Sequence, residues 1–237
     1  MNPILLVTCA INPPLGIKYL NLNQPSERLI TTKSSIFFWA SLGIKKLLIV
    51  DSTLTKVLNE EDLELLRAVG IDVEQLSFQQ NNEEVIHKGK GFAEGKLLEF
   101  AIDNSRLLKT EPFFFKSTGK VFCRNFSKIV ELIRSNQIKG IYWSLFEHGQ
   151  FNTVDTRFFF TSVEDCHNFL LPIYNNLNET EIGKCIEETL PEYFDAMLTK
   201  GWAVRPHISG FAGGHGRQWE ESNLGEIENS FPCWFKN

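Results

Sequence analysis

Four short strand-like runs, three of them almost wholly apolar, alternate with stretches of helical periodicity, and this constrains the chain more than any other feature. Ile4 to Cys9, Lys46 to Val50, Val73 to Phe78 and Pro112 to Lys116 read as strands; Ser26 to Leu42, Glu60 to Val69 and Glu94 to Leu108 read as the helices between them. Strands that are apolar on both faces must be covered on both faces. The pattern predicts an α/β fold, with a mainly parallel central sheet flanked by helices. Asn59, followed by three acids, predicts the start of the second helix. Beyond residue 122 the rhythm changes. Phe126 to Arg134 reads as a helix, Gly140 to Leu145 and Thr156 to Phe160 as aromatic strands, and Val163 to Asn175 and Ile182 to Lys200 as helices. An irregular, Gly-rich tail follows.

Charge narrows the partners. The 24 Lys and Arg against 29 Asp and Glu give a net charge of −5. A nucleic-acid coat needs a basic surface, so that class is excluded. The apolar run at 3–10 is too short to span a membrane and lacks the charged start and cleavage site of a signal peptide. A cytoplasmic protein is therefore expected. Cys9, Cys123, Cys166, Cys185 and Cys233 show no CxxC spacing, which predicts buried free thiols rather than a zinc site or disulfide framework.

In open α/β sheets, ligands lie beyond the carboxyl ends of the strands. Three segments meet that condition. LLIVDSTLT (47–55) ends a strand in Asp51, a residue suited either to hold a base or ribose or simply to close an Asx-turn. HKGKGFAEGKLLEFAI (87–102) runs from a basic, Gly-rich turn into a helix, the arrangement that attracts phosphate; it is neither a P-loop nor a GxGxxG fingerprint. EPFFFKSTGKVF (111–122) ends a strand in Lys116, a fixed positive charge for a leaving diphosphate, with Thr118, Lys120 and Arg124 nearby.

In order and spacing, these segments resemble the nucleotide-sugar half of GT-A glycosyltransferases, especially the bacterial family that builds capsules and O-antigens. Val50-Asp51-Ser52-Thr53 is similar to that family's "VDDGSTD" turn. Lys88-Gly89-Lys90-Gly91 with Ala93-Glu94 is loosely similar to its "N-x-G-x-x-x-A-x-N" helix start. Phe113-Phe114-Phe115-Lys116 occupies the place of its "FLDxDD" strand. The metal-binding Asp-x-Asp is missing, and Lys116-Ser117-Thr118-Gly119-Lys120 resembles a "KxTGR" variant instead. The likeness covers residues 3–122. It implies a GT-A-like single domain over 1–237, with a nucleotide-sugar half (1–122) and an acceptor half (123–237).

The resemblance implies a transfer of a sugar from a UDP-sugar to an oligosaccharide or lipid-linked glycan of a surface polysaccharide, with peripheral contact at the inner membrane and no divalent metal. Thr8, Asn12, Arg28 and Asp51 would hold the nucleoside; Lys88, Gly89, Glu94, Lys116 and Thr118 would line the donor site. RPHISGFAGGHGRQW (205–219) suits a mobile loop closing over the diphosphate with Ser209, His215 and Arg217. Without a carboxylate pair nearby, His207 and His215 are not expected to bind metal. An inverting transfer needs a carboxylate base, and Glu187, Glu188 and Asp155 are the candidates. Two rivals stand beside this reading. One is a sugar-phosphate nucleotidyltransferase, disfavoured because TCAINPPLGIK (8–18) lacks the Gly-rich, basic loop of that class. The other is a transferase fold that binds nucleotide-sugar or a partner without chemistry.

Overall fold

The computed structural model describes residues 3–17, 20–135, 140–148, 151–196, 199–202, 204–212 and 217–220. The main sheet has seven strands: β1 (Ile4–Cys9), β2 (Lys46–Asp51), β3 (Asp72–Ser77), β4 (Phe113–Thr118), β6 (Ile141–His148), β7 (Phe151–Ser162) and β8 (Thr199–Gly201), in the order β3-β2-β1-β4-β7-β6-β8. β3, β2, β1 and β4 are parallel; β7 runs against β4 and β6. A second, antiparallel sheet has the order β10-β9-β5, from β5 (Val121–Cys123), β9 (Ile208–Ala212) and β10 (Arg217–Glu220).

The expected architecture is the observed one. Side chains of successive strand residues point to opposite faces, so each apolar strand feeds two cores. Leu5 and Val7 of β1 pack with α1 (Pro25–Ser41), α2 (Glu60–Ala68) and α6 (Phe126–Ser135); Ile4 and Leu6 pack with α4 (Lys90–Asn104) and α5 (Arg106–Thr110). Much of the first core is aromatic. Phe115 and Trp39 stack on Phe158, with ring centres 5.5 Å and 5.7 Å apart. Asn59 caps α2 as expected, in a reciprocal pair with Asp62. α3 (Asn82–Lys88) precedes α4 across Gly89, whose φ of 101° is a left-handed conformation that suits glycine.

Three expectations change. The helix expected over 94–108 starts earlier, at Lys90, and breaks at Ser105, which caps α5 by accepting from the Leu108 N–H at 3.2 Å. The helix expected over 182–200 is instead α9 (Glu179–Ile182), α10 (Ile186–Thr189), a 3₁₀ turn (Leu190–Ala196) and β8. Gly183 in the left-handed region and Pro191 interrupt it. The segment expected as an irregular tail carries β9 and β10. Residues 163–176 are helical as expected, built from α7 (Val163–Asp165), a π turn (Cys166–Leu170) and α8 (Leu171–Asn176). Cys9, Cys123 and Cys166 are buried free thiols and Cys185 is a half-buried one; Cys233 lies outside the described residues. No helix among the described residues is long and apolar enough to cross a membrane.

Candidate active site

A cavity of about 540 Å³ opens at the carboxyl ends of β1, β2 and β4. Its floor is Thr8, Cys9 and Thr118; α1 contributes Arg28, α4 contributes Glu94, and β7 contributes Thr156 and Arg157. The stretch from α9 to α10 forms a wall with Glu179 and Glu187, and Phe211 of β9 stands at the edge. Thr8, Arg28, Glu94, Thr118 and Glu187 are thus brought together as the sequence suggests.

The three candidate bases separate cleanly. Glu187 lines the cavity and accepts a 2.6 Å hydrogen bond from the Thr156 hydroxyl. Glu188 is exposed and accepts from the Cys185 N–H at 3.1 Å, closing the start of α10; it is a helix cap. Asp155 is 5% exposed and grips Arg157 through two side-chain hydrogen bonds of 2.8 Å and 2.7 Å. Its role is to aim Arg157, which does line the cavity.

Lys116 is fully buried beneath the floor and does not line the cavity. Residue 116 lies on the same face of β4 as Phe114, toward α4, so its chain meets Glu94. It forms an ion pair with Glu94 and donates to the Thr156 carbonyl at 2.7 Å and the Thr118 hydroxyl at 3.1 Å. Its charge is already balanced, so it is not the free cation expected for a leaving diphosphate. A divalent ion held at this strand end does not fit these residues either. An ammonium would stand beside it, and Glu94 is occupied. No cluster of three metal-ligating side chains occurs among the described residues.

Asp51 is likewise inaccessible and outside the cavity lining. Its carboxylate accepts from the N–H groups of Ile11 (2.9 Å), Thr53 (2.7 Å) and Thr55 (3.0 Å) and from the Thr53 hydroxyl (2.6 Å). It knits the loops after β1 and β2, as the Asx-turn reading has it. Asn12 helps from the exposed side, bonding Thr55 through its amide at 2.9 Å. Asp51→Ala strands three buried or half-buried N–H groups, and unfolding in urea is expected to show a loss of about 3 kcal/mol.

The Gly-rich turn is occupied by the chain itself. The Glu179 carboxylate accepts from the Lys90 N–H (2.8 Å) and the Gly91 N–H (3.2 Å) at the amino end of α4. A Cβ on Gly89 or Gly91 would meet Glu179, so those glycines admit a carboxylate from α9 rather than an approaching phosphate. Burial, then the charge of Glu187, pushes the Glu179 carboxyl up. Lys88 is turned away onto the Phe92 ring, 4.2 Å from its centre. Ser209 is buried in β9 and does not line the cavity. His215 lies outside the described residues, and of Arg217 only the backbone, paired with Ala212, is described. The expected closing loop is, in its described part, an antiparallel strand pair fixed to β5.

Glu179, Thr156 and Arg157 were not signalled by the sequence, and Lys120 was signalled only as a helper. Lys120, in the turn after β4, is 5% exposed and lines the cavity beside Arg28. Gly119 lets that turn pass close to β1; a Cβ there would lie 2.9 Å from Cys9 Cβ. Cys185 borders the cavity, but burial and then Glu187 push its thiol to about 12, so it carries no thiolate for covalent catalysis at neutral pH.

No protein-family model matches the sequence, and no curated protein matches it significantly. Among solved structures, HddC from Yersinia pseudotuberculosis is similar at a TM-score of 0.51 and 11% identity, over 88% of this chain and 93% of that one. A glycosyltransferase involved in glycosylation of the major capsid of PBCV-1 gives 0.48 and 12%, over 84% and 80%. The 4-diphosphocytidyl-2C-methyl-D-erythritol synthase from Anaerococcus prevotii gives 0.43 and 9%, over 86% and 87%. What this chain shares with HddC is the fold: a mainly parallel α/β sheet with helices on both faces.

Proposed function

We propose that this chain is a glycosyltransferase that moves a hexose from a UDP-sugar to a glycan acceptor without a divalent metal. The observation that supports this most is the polarity of the cavity. Arg28, Lys120 and Arg157 supply positive charge, and Glu179 and Glu187 form an acidic wall. The diphosphate lies against Arg28 and Lys120, which stabilise the charge that develops as the bond to the anomeric carbon breaks. Glu187, held by Thr156, takes the proton of the acceptor hydroxyl as its oxygen attacks that carbon, and the electron pair leaves with the nucleoside diphosphate. The reading treats 1–237 as one catalytic domain, with cavity residues drawn from both halves.

The order of the sequence motifs supports an acceptor of the capsule or O-antigen class, lipid-linked and presented at the cytoplasmic face of the inner membrane. Mass spectrometry of a panel of nucleotide-sugars incubated with the protein tests the reading. UDP is expected to be released, at an unchanged rate in EDTA. Pyrophosphate release from UTP with a sugar phosphate would redirect the reading to nucleotidyl transfer. Binding without turnover of any donor would leave a binding module, and no binding at all would end it.

A further inference from the structure

The cationic end of the cavity carries more positive charge than the protein balances. The Lys120 ammonium has no hydrogen-bond or ion-pair partner among the described residues, although the residue is 5% exposed. Arg28, also 5% exposed, donates to the carbonyls of Ala10 (2.6 Å) and Leu22 (2.8 Å) and forms no ion pair with a carboxylate. Two cations buried together without an ion-pair partner repel each other and lose their hydration. Of the two, only a lysine can shed its proton at neutral pH; a guanidinium stays charged.

We propose that Arg28 and Lys120 form a proton-coupled phosphate receptor, in which an anionic phosphate group enters together with the proton that charges Lys120. The identity of the anion, the diphosphate of a nucleotide-sugar, rests on the function proposed above; the receptor itself rests on the two buried side chains. The charged groups around Lys120 agree. Burial first, then Arg28 of α1, push its pKa down to about 7. Cys9 of β1, Glu94 of α4 and Asp51 of β2 pull the other way, but Glu94 is paired with Lys116 and the single charge of Asp51 offsets only part of that of two cations. An anion in the cavity supplies the missing counter-charge and restores the lysine's preference for its proton.

The sign follows. Well above pH 7 the empty receptor holds a neutral Lys120, so binding withdraws a proton from solution. Affinity then falls by about tenfold for each pH unit, until the pH passes the pKa of the bound state. Well below pH 7 the lysine is already charged, and the proton uptake vanishes.

Isothermal titration in two buffers of different ionisation enthalpy measures this. The probes are sodium sulfate and UDP-glucose, neither of which titrates near neutrality. Uptake of about one proton is expected at about pH 8, and close to none at about pH 6. Lys120→Met is expected to abolish the uptake and weaken both probes at least tenfold at the lower pH. Lys120→Arg, which keeps a charge that cannot be shed, is expected to bind without uptake and with flat pH dependence. Sulfate uptake without UDP-glucose binding keeps the receptor and removes the nucleotide-sugar reading. UDP-glucose binding at the higher pH without uptake, uptake surviving in the Met variant, or no binding of either probe overturns the receptor.

Discussion

Lys116→Ala is expected to cost the fold about 3–5 kcal/mol in chemical denaturation, an effect larger than any it has on donor binding. The side chain is fully buried and carries the counter-charge of Glu94. Removing it strands the Glu94 carboxylate close to the sheet and leaves the Thr156 carbonyl without its 2.7 Å donor. A strand-end lysine read from sequence alone looks like a catalytic cation whose loss would slow the reaction and spare the fold. The structure reverses that ranking. The decisive variant is the double replacement Lys116→Met with Glu94→Gln, which removes both charges together. It is expected to recover most of the lost stability, because a buried ion pair and a neutral pair of similar volume are close in energy. If Lys116→Ala unfolds at the wild-type urea concentration, the ion pair has been misread.

Glu187→Gln is expected to lower kcat by about 10²–10⁴-fold, with donor affinity within a few-fold of wild type. The amide keeps the volume and still accepts from the Thr156 hydroxyl, so the wall keeps its shape. What it loses is the ability to take a proton. The same replacement at Glu188 is expected to leave the rate unchanged, because that carboxylate is exposed and closes α10. Donor hydrolysis and acceptor transfer, assayed side by side, check both. Equal activity of Glu187→Gln and wild type would remove Glu187 as the base.

The fold was largely legible because β1, β2 and β4 are mostly apolar runs whose burial on both sides admits few alternatives. The stretch at 182–200 was misread for a definable reason. Ile186, Leu190 and Phe194 recur at a spacing of four, which imitates a helical face, while Gly183 and Pro191 divide the segment. The site was legible at the ends of parallel strands, at Thr8 and Thr118, and at the helix residues Arg28, Glu94 and Glu187 that the motifs and the need for a base singled out. Thr156 and Arg157 sit in the middle of β7, which runs against β4, so no strand-end rule finds them. Glu179 belongs to a short helix with no pattern of its own. Asp51 and the Gly-rich turn show a further limit. A motif reveals that a carboxylate or a helix start lies near the ligand, but not whether the chain's own backbone has already used it.

The Glu179 cap on α4 would also bias which way round the proposed donor lies. In many α/β proteins the first turn of such a helix waits for a phosphate; here an internal carboxylate occupies it, with Glu187 near enough to raise its pKa. A donor entering backwards would set its diphosphate against two negative charges, and that repulsion disfavours the mistaken pose before any shape is tested. In the proposed transfer, a diphosphate set against Arg28 and Lys120 would leave the sugar facing Glu179 and Glu187, where its hydroxyls would find acceptors.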